Sequence, residues 1–165
     1  MKKFIKFIIV ILGIVLLFLL IRYNLSTGMN FSSNDKLLIY DDDSKIALDY
    51  DSYSYLSERG ENKKNTTNIK FNFTGMDTRW KIEAEKDAVL TINYDSKISK
   101  GDFKVVIISP QKEVSTILEQ SASGSKDINI KKGTSRIKIV GKNAKGKLKL
   151  KLKYSKDVKP ISIDS

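Results

Sequence analysis

Asn68–Ala84 reads NIKFNFTGMDTRWKIEA. Ile69, Phe71 and Phe73 alternate with Lys70 and Asn72, and Trp80, Ile82 and Ala84 alternate with Arg79, Lys81 and Glu83. Successive side chains of a strand point to opposite faces, so a period of two gives each segment one apolar and one polar face. Ala88, Leu90, Ile92 and Tyr94 repeat the pattern, as do Leu148, Leu150, Leu152 and Tyr154 between Lys147, Lys149, Lys151 and Lys153. Phe103–Ile108 is a more continuous apolar run, as expected of a strand covered on both sides, and Pro110 ends it because it has no amide to give a ladder.

Outward from that centre, Leu37–Tyr40, Lys45–Tyr50, Val114–Leu118, Ile128–Ile130 and Arg136–Val140 read as shorter strands. Lys131-Lys132-Gly133 reads as a turn, and the glycine-bounded Gly141–Gly146 as the loop of a final hairpin that pairs Arg136–Val140 with Lys147–Tyr154. Glu58–Thr67 (ERGENKKNTT) has nothing to bury and reads as an exposed loop. No stretch after residue 22 carries the i, i+3, i+4, i+7 stripe of an amphipathic helix. The expectation is an all-β, antiparallel β-sandwich, jelly-roll-like, over residues 37–156. Residues 157–165 read as a tail whose Ile161 and Ile163 would suit an added edge strand.

The 165-residue chain begins MKKFIKFIIVILGIVLLFLLIR. Phe7–Ile21 is free of charge, close to the lower limit of a spanning helix, which is about 17 residues. Lys6 would snorkel to the headgroups, and Arg22 and Tyr23 would sit at the far interface. Lys2, Lys3 and Lys6 against the single Arg22 place the N-terminus in the cytoplasm. Residues 1–22 thus read as one transmembrane helix, a single-pass anchor with the C-terminal domain outside the cell membrane, and 23–36 as a tether. The rival is a signal peptide cleaved near Gly28, where Ser26-Thr27-Gly28 offers a small-x-small site and the product would be secreted.

Composition excludes whole classes of chemistry. With no Cys there is no thiol nucleophile, disulfide or zinc-thiolate site, and with no His there is neither a Ser-His-Asp triad nor a His-ligated metal. Ser33-x-x-Lys36 and Ser123-x-x-Lys126 have the spacing of a lysine-activated serine but lack the further elements that motif needs. There is no glycine-rich phosphate loop, and carboxylate placement shows no glycosidase pair. A non-catalytic protein without cofactor or metal is expected. Asp41-Asp42-Asp43, with Asp49 and Asp51, could offer oxygen ligands to calcium but fits no EF-hand spacing; an exposed acidic turn lying against a basic face is the alternative. Tyr50, Tyr53 and Tyr55 could stack on sugar rings or pack half-buried, and Trp80 falls on the core side of its strand.

The charge is uneven. The chain has 30 Lys plus Arg against 19 Asp plus Glu, net +11. Residues 22–66 are acidic overall and residues 67–125 are neutral, so the excess of the domain falls in residues 126–165. If Leu148, Leu150, Leu152 and Tyr154 face the core, Lys147, Lys149, Lys151 and Lys153 form a row at about 6.6 Å spacing. With Ile137 and Ile139 inward, Arg136 and Lys138 would join them as outward-facing cations on the same face. Lysines along an edge also guard against aggregation, so gatekeeping and anion binding both suit the pattern. No Phe, Tyr or Trp falls between Lys126 and Lys153, so no stacking platform for nucleic acid interleaves with the charges.

Ser99–Gln111 (SKGDFKVVIISPQ) followed by Lys132–Leu150 (KGTSRIKIVGKNAKGKLKL) is similar to small exported sandwich modules of low-GC Gram-positive bacteria, and resembles the pre-peptidase C-terminal type of jelly roll. The resemblance covers about half the chain and is structural. It implies a module that accompanies other activities, and it carries no site residue over.

The resulting expectation is a membrane-anchored, outward-facing binding or accessory module. Arg136, Lys138, Lys147, Lys149, Lys151 and Lys153 would meet the membrane surface, through anionic lipid, or an anionic envelope polymer. The alternative is a docking module for another exported or membrane protein.

Overall fold

A computed structural model describes residues 33–163. The predicted span in residues 1–22, the cleavage site and most of the tether lie outside them. Among the described residues no helix is long and apolar enough to cross a membrane. Two helical turns, α1 (Ser33–Leu37) and α2 (Asp43–Ile46), precede seven strands: β1 (Ser52–Lys63), β2 (Thr66–Ala84), β3 (Ala88–Ile108), β4 (Val114–Glu119), β5 (Ser123–Ile130), β6 (Gly133–Tyr154) and β7 (Val158–Ser162). All pairings are antiparallel, in the order β1-β2-β6-β3-β4, with β5 also on β3 and β7 also on β2.

The all-β expectation holds, but in place of many short strands three long ones, of 19, 21 and 22 residues, dominate. Each changes the parity of its inward residues midway. In β2 the inward set passes from Ile69, Phe71 and Phe73 to Trp80, Ile82 and Ala84. In β3 it passes from Leu90 and Ile92 to Phe103, Val105 and Ile107, and in β6 from Ile137 and Ile139 to Leu148, Leu150 and Leu152. An extra residue in a ladder flips the side-chain alternation and bends the strand.

The irregularities fall side by side, since Gly75 pairs with Gly141 and Gly141 with Phe103. Along that line the sheet turns a corner. One half-sheet then runs β1-β2-β6-β3-β5 and the other β7-β2-β6-β3-β4. Their inward faces close on a single core, where Phe71 of the first stacks on Phe103 of the second at 4.8 Å. The fold is a sandwich whose layers share their long strands through bends.

Three sequence expectations are corrected here. Arg136–Val140 and Lys147–Tyr154 do not pair as a hairpin; they are the two ends of β6, joined by a bulge at Lys142-Asn143 where Asn143 takes φ 52°. Glu58–Thr67 is the β1–β2 hairpin and not a loop: its ladder to β2 needs no apolar row, and Asn62 donates from Nδ2 to Arg79 O at 2.8 Å and Ile163 O at 3.0 Å. The segment Leu37–Tyr50 is helical turn and bend, because Asp42 caps α2 by accepting from Ser44 N at 3.0 Å and Lys45 N at 3.3 Å. Val158–Ser162 of the predicted tail is an edge strand on β2, the addition its apolar residues suited.

Residues 39–51 form a strap across the outer face of the second half-sheet. Ile39, Tyr40 and Ile46 bury there against Met76, Val106, Ile108 and Val140 in a second small core. This is what covers Phe103–Ile108 on both sides, as its continuous apolar run requires.

Candidate functional site: a basic sheet face and its acidic strap

The outward row of β6 has two fates. At the strap end, Arg136 and Lys138 are buried, Lys138 completely. This corrects the expectation that both face outward, and the strap is the reason. Lys138 Nζ donates to Leu48 O at 2.9 Å and Tyr50 O at 2.8 Å, and lies 3.3 Å from Asp51 Oδ1. Arg136 donates to Leu48 O and Ala47 O, each at 2.9 Å, and pairs with Asp49 at 2.6 Å. Lys142 pairs with Asp41 at 3.2 Å and Lys104 with Asp43 at 3.7 Å. The Arg136 guanidinium holds the Asp49 carboxyl below the usual range, whereas burial pulls the Lys138 ammonium down. The acidic turn therefore lies against basic side chains, as one of its two readings had it.

Past the bulge the row is bare. Lys145, Lys147, Lys149, Lys151 and Lys153 are exposed, with Leu148, Leu150 and Leu152 buried between them. The flanking strands add to them: Lys147 lies opposite Lys70 of β2 and Lys97 of β3, both exposed. Among the described residues none of these seven ammonium groups has a carboxylate within 4.0 Å. Like charges set directly opposite destabilise a sheet by some tenths of a kcal/mol per pair, so Lys70, Lys147 and Lys97 abreast oppose folding slightly. Asp95, opposite Lys149, is the acidic group within the array.

A second cluster was not legible in the sequence. An irregularity between Thr78 and Trp80 turns Arg79 into the edge between β1 and β2, where its side chain is only 2% exposed. Its guanidinium meets Glu58 at 2.6 Å, Asp77 at 3.0 Å and the Tyr55 hydroxyl at 2.6 Å, and that hydroxyl donates to Asp77 at 2.6 Å. Burial raises the Tyr55 phenol far above its ordinary value, so it stays a donor. Tyr55 also stacks on Phe73, 5.2 Å between centroids, so the aromatic run packs half-buried here. Its chemistry is closure of an edge: the Arg79 charge is met by the Glu58 and Asp77 carboxylates, and the Tyr55 hydroxyl bridges Arg79 to Asp77.

Among the described residues no group of three or more His, Cys, Asp or Glu could hold a metal. Trp80 is fully buried in the core. No family model matches the chain, the pre-peptidase C-terminal type included, and no curated protein matches it. Among solved structures the chain is similar to a family 35 carbohydrate binding module from an environmental isolate, with TM-score 0.35 and 10% identity over 68% of this chain and 95% of that one.

Proposed function

We propose that this chain is a non-catalytic binding module, held at the outer face of the cell membrane by its N-terminal anchor, whose bare lysine face takes up an anionic surface. Two chemistries suit it, phospholipid headgroups and an anionic envelope polymer, because both need only point charges. The observation that supports the reading is the contrast along β6. The fold neutralises Arg136, Lys138 and Lys142 with a dedicated acidic strap, yet leaves Lys145, Lys147, Lys149, Lys151 and Lys153 without a counter-ion among the described residues. Each basic side chain close to an anionic membrane contributes about 1 kcal/mol, so the array suffices for reversible attachment.

A second reading, docking onto another exported or membrane protein, draws on Leu56. It is 85% exposed and lines a cavity of about 270 Å³ with Leu37 and Phe73. Salt separates the two readings. Sedimentation of residues 32–165 with anionic vesicles, neutral vesicles and purified cell wall, across a salt series, is expected to give binding to an anionic phase that falls steeply as salt rises. Salt-insensitive binding lost in Leu56→Ser would favour the docking reading.

A further inference from the structure

We infer that the lysine face docks on the anionic headgroups of the same membrane that holds the chain's own N-terminal anchor. This rests on the proposed anion-binding role of that face and names its partner. Three features favour a bilayer over a linear polymer. The first is breadth. From Lys145 to Lys153 the row runs roughly 26 Å along β6, and Lys70 and Lys97 widen it to three adjacent strands, about 10 Å across. A two-dimensional array of cations answers a two-dimensional array of phosphates, whereas a single chain of phosphates would meet only one row at a time.

The second feature is where the chain enters the domain. Asn34 and Leu37 of α1 line one cavity with Asn72 and Asn143, and Asn72 is the β2 partner of Lys145. Lys36 fixes this helical turn by donating to Tyr53 O at 3.0 Å and Ser54 Oγ at 2.7 Å. The first described residues thus sit beside the upper end of the bare lysine row.

The third is reach. Arg22–Ser32, between the apolar run Phe7–Ile21 and the domain, is eleven residues, so it spans at most about 40 Å when fully extended. That length lets the face settle on the bilayer and keeps it from travelling far from it. Asp41, Asp43, Asp49 and Asp51 sit on the strap, over the other half of the sheet, where they are already paired and do not repel the headgroups.

The chain has no cysteine, so single cysteines can be labelled cleanly. Full-length protein carrying a fluorophore at Asn68→Cys, on the lysine face opposite Lys149, or at Ser115→Cys on β4, is reconstituted into vesicles containing headgroup-quencher lipid. In phosphatidylglycerol vesicles the Asn68 probe should be quenched at least twofold more than the Ser115 probe. The difference should vanish in phosphatidylcholine vesicles and at high salt. Equal quenching of the two probes in phosphatidylglycerol vesicles overturns the inference. The same full-length protein in phosphatidylcholine vesicles is then offered soluble polyphosphate. Capture of polyphosphate without docking on phosphatidylglycerol leaves the anion-binding role standing and makes a polymer its ligand, whereas failure of both removes that role too.

Discussion

The fully buried ammonium of Lys138 donates to the backbone carbonyl of Tyr50 at 2.8 Å. With Leu48 O and Asp51 as its other oxygen partners, this one side chain ties the strap to the sheet. Replacing it by Ala removes one donor from each of two carbonyls, Tyr50 O and Leu48 O, and the counter-ion from the Asp51 carboxylate. Breaking a buried pair of this kind costs about 3 kcal/mol or more. Lys138→Ala should lower the unfolding free energy of residues 32–165 by that amount in urea, and amides of residues 39–51 should lose hydrogen-exchange protection before those of β2, β3 and β6.

Acid should loosen the strap first. Asp49, held low by Arg136, and Asp42, held low by the Ser44 hydroxyl, both have folded values below the ordinary 3.8. Groups depressed in the folded state contribute stability that is fully present above their unfolded value and is lost as pH falls through the folded one. Strap protection should therefore hold from neutral pH down to about 4 and fall below it. Lys138 acts in the same direction at the alkaline end. Burial lowers it from 10.5, so the folded state binds fewer protons than the unfolded one between its folded value and 10.5, and its contribution improves as pH rises there. Comparing the pH dependence of wild type and Lys138→Met isolates that limb.

The corner of the sheet depends on Gly75, which takes φ +113° and whose added Cβ would lie 2.0 Å from Ser52 O. Backbone cannot retreat from that contact, so Gly75→Ala should cost at least about 2 kcal/mol. Gly124 is the control: its Cβ would meet only the hydroxyl end of Tyr94, at 3.1 Å. Gly124→Ala should change stability by less than about 1 kcal/mol. Thermal unfolding of the two variants checks the difference.

In the Arg79 cluster, Tyr55→Phe removes the hydroxyl that accepts from Arg79 and donates to Asp77. Leaving buried charged groups short of a partner should cost about 2 kcal/mol. If the cluster only closes the β1–β2 edge, the variant binds anionic vesicles as wild type does once corrected for the folded fraction.

Much of this architecture was legible. The alternation around Phe71, Ile82, Leu90 and Leu150 marked the strands, and the unbroken Phe103–Ile108 run announced a second covering layer. Two things were hidden. Bulges and hairpin turns share a vocabulary of Gly and Asn, so Gly141–Gly146 read as a turn although it only bends β6. Alternation also assigns a side chain to a face but is silent about what lies over that face. It therefore placed Arg136 and Lys138 on the outer side of the sheet without showing that residues 39–51 cover them, and only the surplus of Asp in that segment hinted at it. The Arg79 cluster had no signal, because a bulge between Thr78 and Trp80 leaves no mark in the pattern of apolar residues.

The most direct measurement compares two variants of equal net charge. In one, Lys147, Lys149, Lys151 and Lys153 become Gln; in the other, the exposed lysines Lys81, Lys86, Lys132 and Lys159 do. Both lose four positive charges, and none of the eight is buried, so both should fold. Binding of each to phosphatidylglycerol vesicles and to soluble polyphosphate at low salt separates place from total charge. The expected result is at least a tenfold loss of affinity in the first variant and less than a threefold change in the second. Equal losses in both, or none in either, would contradict a working surface on β6 and leave its lysines as guards against aggregation.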